Sequence, residues 1–258
     1  MLRHRTLALL TVPLLAFLTA CGSDGGGGDS GEGGSDSSPS GDATAAATDD
    51  GPLVRLTTVV YNGQTQYEFT YGPNGEPLGY KIFHPVTGEL SNEFVIDEVD
   101  ADGHVVEETG TRLPENVSTT STLSYDADGR LVSVVRHADS GQEETTYTWV
   151  DGQVTMQSPS TENVYVLDGG NIMEEISTFS GRTTTTTYHS YDDSPNPFTL
   201  TGGMAIQVWS ANNATSWSPP DGCTYTVELT YEAGLPVSSH AEGCASYVHD
   251  YTYEYAEF

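Results

Sequence analysis

From Leu53 onward the chain alternates between apolar or aromatic residues and polar ones. The runs Tyr67, Phe69, Tyr71, then Tyr225, Val227, Leu229, Tyr231, then Tyr251, Tyr253, Tyr255 are the clearest. A period of two places successive side chains on opposite faces of a strand, so each run predicts a β-strand with one buried face. Threonine fills the opposite positions, at Thr224, Thr226 and Thr230 and again through Thr183–Thr187, as suits a solvated strand surface. The segment 172–179 is the best helical candidate, but it reads equally well as a strand through Ile172 and Ile176. Residues 53–258 are therefore expected to form an all-β, mostly antiparallel domain, long enough to bury about 70% of its unfolded surface.

Internal repetition sharpens that expectation. A strand end is followed by a short acidic or Asn-containing turn, a glycine, and an aliphatic strand start. The unit recurs at 71–78, 99–105, 125–131, 149–154, 166–172 and 231–237. Glycine supplies the positive φ that a tight hairpin needs, and Asp or Asn supports the turn through side-chain bonds to the backbone. The first five of these glycines, Gly75, Gly103, Gly129, Gly152 and Gly170, stand 28, 26, 23 and 18 residues apart. That spacing accommodates two strands and two turns per unit, and a meander of repeated hairpins is the simplest topology.

The unit Tyr125-Asp-Ala-Asp-Gly129-Arg-Leu131 resembles a YD repeat of the Rhs class. The later stretch from Tyr188 to Phe198 resembles a segment found in bacterial lipoproteins that carry such repeats. The resemblance spans roughly residues 55–205 and implies an envelope-associated β-repeat domain. It carries no ligand-binding residue over to this chain.

Composition changes abruptly before residue 53. Residues 22–52 hold ten Gly and six Ser, no aromatic residue and no Val, Ile or Leu, too little apolar surface to offset chain entropy, so they predict a disordered tether. Residues 1–20 run from two arginines through an apolar stretch to small residues, the order of an export signal. The sequence Leu18-Thr19-Ala20-Cys21 resembles the lipobox of bacterial lipoproteins, which implies that Cys21 is lipidated and becomes the first residue of the mature chain. Acyl chains at about 0.8 kcal/mol per buried methylene make such an anchor effectively permanent. Gly22, in place of the aspartate that retains lipoproteins at the inner membrane, implies the outer membrane. The expected organisation is a signal peptide at 1–20, a lipidated tether at 21–52 and the β domain at 53–258.

The chain has 8 Lys and Arg against 37 Asp and Glu, a formal net charge of -29, with Lys81 its only lysine. Removing the signal takes away Arg3 and Arg5 and no acid, so the mature chain is more acidic still. Phosphate-backbone binding relies on Lys and Arg, so nucleic acid is not expected as a partner.

With Cys21 assigned to lipid, Cys223 and Cys244 remain as an even pair in an exported chain, where a disulfide is expected. It would close a loop of about 20 residues and contribute on the order of 3 kcal/mol. A zinc site built from Cys223, His240, Cys244 and His249 is the sharper alternative, but its spacing matches no zinc motif. The carboxylate pairs Asp100/Asp102 and Asp126/Asp128, each before a glycine, suggest calcium, yet they lack the further ligands of an EF-hand loop and read better as hairpin turns. The adjacent acids Glu107-Glu108, Glu143-Glu144 and Glu174-Glu175 point to opposite faces of a strand, which disfavours a glycosidase pair. No motif for metallohydrolase or serine-hydrolase chemistry is present, so neither an enzyme nor a cofactor or structural metal is expected.

Aromatic residues carry the remaining signal. Tyr251, Tyr253 and Tyr255 share one strand face, and Trp209 and Trp217 flank Asn212-Asn213. Exposed, they would form a ligand face that stacks on sugars; packed, they would line the inside of the sheet. The sequence thus points to a noncatalytic, envelope-anchored lipoprotein presenting an interaction or scaffold domain, with a surface carbohydrate-binding module as the alternative. Its expected partners are the membrane, through the N-terminal lipid, and a polysaccharide or an envelope protein.

Overall fold

The computed structural model describes residues 52–204, 210–243 and 248–258. These contain sixteen strands. The first eight are β1 (Val54–Tyr61), β2 (Gln64–Tyr71), β3 (Pro77–Phe83), β4 (Leu90–Val99), β5 (Val105–Arg112), β6 (Val117–Tyr125), β7 (Leu131–Ala138) and β8 (Gly141–Val150). They are followed by β9 (Gln153–Gln157), β10 (Thr161–Asp168), β11 (Asn171–Phe179), β12 (Arg182–Pro195), β13 (Asn212–Ser218), β14 (Tyr225–Glu232), β15 (Leu235–Glu242) and β16 (Val248–Glu257). The ambiguous segment around Ile172 and Ile176 is a strand, β11.

Every strand pairs antiparallel with its neighbours in sequence, as a meander requires, but the sheet is not an open meander of hairpins. β1 pairs with β16, from Val54 opposite Glu257 to Tyr61 opposite Tyr251, and the sixteen strands close into a barrel. Closure satisfies the two rows of backbone donors and acceptors that an open sheet would leave at its edges.

All six repeat turns lie at one end of this barrel, because each repeat contains an even number of strands. Their glycines have positive φ: 79° at Gly75, 90° at Gly103, 75° at Gly129, 68° at Gly152, 83° at Gly170 and 82° at Gly234.

A sixteen-stranded barrel is wide enough to leave an aqueous channel unless something fills it. Here the inward positions carry large side chains in two apolar clusters. One gathers Leu123, Val134, Tyr147, Val154, Tyr165, Ile172, Tyr188, Trp217 and Tyr225 from the β6–β14 wall. The other gathers Leu56, Val59, Tyr67, Phe69, Tyr80, Tyr251 and Tyr253 with three residues of the β12–β13 connection, Phe198, Leu200 and Met204.

That connection enters the barrel as a plug. Asn196 caps a short 3₁₀ turn, Pro197–Leu200, by accepting a hydrogen bond from the Phe198 N–H at 3.0 Å. Phe198 then meets the Tyr67 ring edge-on at 5.6 Å between centroids and the Phe69 ring at 6.5 Å. At the far end of the connection the Ser210 hydroxyl, fully buried, accepts from the Ile172 N–H at 3.2 Å, and Asn171 accepts from the Asn212 N–H at 2.9 Å.

Candidate functional site

Three arrangements position the side chains that carry chemistry. The first is the rim at the repeat-turn end, where the aromatic residue closing a strand reaches back about one hairpin to a backbone carbonyl. Tyr71 donates to Leu56 O at 2.7 Å, Tyr125 to Val105 O at 2.9 Å, Trp149 to Leu131 O at 2.8 Å, Tyr191 to Ile172 O at 2.8 Å and Tyr255 to Pro236 O at 2.7 Å. The aromatic residue of the repeat thus has a bonding role at the rim besides its packing. Tyr231 departs from the pattern and donates to the Asp192 carboxylate.

That departure falls where the wall is thinnest. β13 and β14 share only two paired positions, Ser216 with Thr226 and Trp217 with Tyr225. Above them Asp192 of β12 accepts from the Asn213 N–H at 3.1 Å, from the Asn213 side-chain amide at 3.3 Å and from Tyr231 of β14. Side chains there replace part of the backbone ladder.

The second arrangement lies behind this seam, in an internal cavity of about 50 Å³ bounded by Asn196, Phe198, Asn213, Leu229, Ser239 and His249, among others. It has room for a few waters at roughly 10–15 Å³ each. The Ser239 hydroxyl sits 3.2 Å from that of Tyr253, and His249 Nδ1 sits 2.7 Å from the Tyr61 hydroxyl. Burial lowers the His249 pKa, although Asp250 raises it in part, which favours the neutral imidazole.

The third is a pair of neighbouring turns with the same design. Asp100 accepts from the backbone N–H groups of Asp102 and His104 at 2.9 and 2.8 Å, and its other oxygen meets His104 Nδ1 at 3.1 Å. Asp126 accepts from the N–H groups of Asp128 and Arg130, both at 3.0 Å, while the Arg130 guanidinium reaches Asp126 at 2.9 Å and Asp128 at 2.6 Å. Desolvation pushes both Asp100 and Asp126 upward, but hydrogen bonds from His104 and Arg130 outweigh it and hold each carboxyl below its usual range. The ligand atoms of Asp100, Asp102 and His104 lie within 4.8 Å of one another, a group able to offer a cation three ligands. In the second turn Arg130 already supplies the positive charge. As in the turn reading, the first aspartate of each pair holds its own hairpin.

The residues expected to bear function divide sharply. Cys21, Trp209 and Cys244 lie outside the described residues, and with them the lipidation and the Cys223–Cys244 pairing. Cys223 is buried, its N–H bonded to Asp221 at 3.0 Å. Trp217, Tyr251 and Tyr253 are 4%, 5% and 8% exposed and face the barrel interior, and Tyr255 is half-buried at the rim. Trp217 stacks on Tyr225 with centroids 4.4 Å apart, so its ring face is already used. An exposed ligand face is therefore not formed by these four rings; they line the sheet, because the closed wall has only one dry side.

The adjacent acids split as a strand demands. Glu107 pairs with Thr122 on the outer surface, whereas Glu108 is 2% exposed inside. A buried carboxyl was not legible in the sequence. The signal for it was the inward register shared with Ile96 and Ser121, and that register exists only once the strands have paired.

No protein-family model matches the chain, and no curated protein matches it. Among solved structures, a porin-like protein from Bacteroides uniformis is similar over 79% of this chain and 96% of its own, with 13% identity and a TM-score of 0.42. A porin-like protein from Bacteroides vulgatus is similar over 78% of this chain and 98% of its own, with 10% identity and a TM-score of 0.37. The TcdB2-TccC3-Cdc42 complex is similar over 72% of this chain but only 13% of the matched one, with 15% identity and a TM-score of 0.24.

Proposed function

We propose that this protein is a noncatalytic lipoprotein of the bacterial envelope, most simply of the outer membrane, whose barrel stands in water on a tether and serves as an interaction or scaffold body. The polarity of the wall is the observation that carries this reading. A barrel embedded in lipid turns an apolar band about 25 Å tall outward and keeps its polar residues inside. Here the large apolar side chains and the plug fill the inside, while Glu68, Glu93, Glu144, Glu162, Glu228 and Glu254 stand exposed on the outside. Placing these carboxylates in hydrocarbon without partners would be strongly unfavourable. Attachment through Cys21 then supplies the membrane association that the wall does not.

The interaction surface is accordingly the outer wall and turn ends, with a protein partner favoured. A sugar-stacking face needs exposed rings, and the burial of Trp217, Tyr251 and Tyr253 leaves the carbohydrate reading without an observation in its favour.

The test is fractionation of wild type and a Cys21→Ser variant, each washed at alkaline pH and floated with membranes. Wild type is expected to float and Cys21→Ser to remain soluble. A Cys21→Ser protein that floats would overturn the water-exposed barrel, and a wild type that stays soluble would overturn the lipid anchor.

A further inference from the structure

Inside the barrel one row of paired residues runs across five strands: Ile96, Glu108, Ser121, Arg136 and Glu143, on β4 to β8 in turn. Residues opposite one another in an antiparallel sheet point to the same face, so Glu108 and Arg136 both point inward, two strands or about 10 Å apart along the row. Glu108 is 2% exposed, and among the described residues its carboxyl accepts one hydrogen bond, a long one from the Tyr80 hydroxyl at 3.4 Å. Arg136 is exposed and forms no ion pair among the described residues. A buried carboxyl thus faces a guanidinium that has no partner, across one small residue, Ser121.

We propose that Glu108 and Arg136 are the two halves of a proton-gated latch: with Glu108 protonated, Arg136 remains in solvent beside Glu143, and on ionisation Glu108 draws the guanidinium past Ser121 into a buried ion pair. In the present arrangement Arg136 is solvent-exposed on the inward row, and the Tyr80 hydroxyl is the group that reaches Glu108. Burial is the dominant influence on Glu108 and pushes its pKa up to about 7; the Tyr80 hydrogen bond and Arg136 pull it down by less, and Asp97 pushes it up. The other groups bearing on the pair are Tyr80 of β3, with Tyr67 of β2 acting on Tyr80 in turn, Tyr125 of β6, and Tyr147 and Glu143 of β8. Burial raises the pKa of all four of these tyrosines, so they stay neutral through the relevant range. Arg136 is then the nearby cation able to compensate the charge, and guanidinium suits a carboxylate because it can bond to both oxygens. The row ties β5 to β7, so closing the latch would stiffen this half of the wall as pH rises through neutrality.

The test follows the Glu108 carboxyl carbon and the Arg136 Nε resonance by NMR from pH 5 to 9 in the mature protein. Both are expected to move with one midpoint near neutrality. Arg136→Gln should raise the Glu108 midpoint by a unit or more, Arg136→Lys should restore most of the shift, and Glu108→Gln should leave the Arg136 resonance flat. A Glu108 midpoint in the ordinary carboxylate range, a midpoint unmoved by Arg136→Gln, or an Arg136 signal that ignores the transition would each overturn the latch.

Discussion

Truncating the plug at Phe198 should cost this barrel about 4 kcal/mol. The side chain is 2% exposed, and its neighbours Tyr67 and Phe69 belong to a closed wall that cannot collapse inward without breaking ladder hydrogen bonds. Phe→Ala substitutions in cores cost about 3–5 kcal/mol, and the cost rises when the surroundings relax poorly. Two edge-on ring contacts, with interplanar angles of 82° and 78°, place Phe198→Ala in the upper half of that range. Urea unfolding followed by tryptophan emission measures it, with the midpoint falling and the denaturant slope unchanged. Phe198→Leu, which keeps most of the volume, should lose about 1–2 kcal/mol. If the connection only covered the barrel mouth, Phe198→Ala would behave as a surface change, within about 0.5 kcal/mol of wild type. A loss that small would refute the claim that the plug is core.

Further expectations follow from single contacts. Glu108 has a folded pKa of about 7 against an ordinary value of 4.5, so the folded state holds a proton that the unfolded chain releases. The contribution of Glu108 to stability is therefore full below about pH 4.5 and declines as pH rises toward 7, by about 3 kcal/mol less whatever the Arg136 pair returns. Glu108→Gln should flatten that dependence and exceed wild type in urea midpoint at pH 8 but not at pH 4. Tyr125→Phe leaves the Val105 carbonyl without its 2.9 Å donor and should cost about 1 kcal/mol, read as a lower thermal midpoint, whereas Thr146→Ser on the outer wall should be neutral. Asp192→Ala removes the acceptor of Asn213 and Tyr231 and should accelerate amide exchange in β13 and β14 ahead of the other strands; uniform exchange would contradict the seam. Thiol alkylation of the mature protein should label Cys223 and Cys244 only after reduction, and labelling beforehand would rule out their disulfide.

Much of the strand pattern was legible because it is local. Alternation at Tyr67-Phe69-Tyr71 and Tyr251-Tyr253-Tyr255 specifies a strand and its dry face whatever the rest of the chain does, and Gly103 or Gly129 behind an aspartate specifies a turn. The carboxylates of those turns were also readable, since Asp100 and Asp126 bond to groups within four residues of themselves.

Closure, the plug and the inward acid depended on contacts between residues far apart in sequence. Nothing in the local pattern of β1 or β16 distinguishes a strand at an open edge from one that meets its partner about 200 residues away. Pro197–Leu200 reads as an ordinary loop until a cavity exists for Phe198 to fill. Glu108 reads as one more acid in an acidic strand, and only the register of β4 to β7 turns it toward Tyr80 and Arg136. A strand's sequence determines which side chains lie together on a face, whereas which face becomes the inside of a barrel, and what must then be buried there, is decided when the sheet curls and its ends meet.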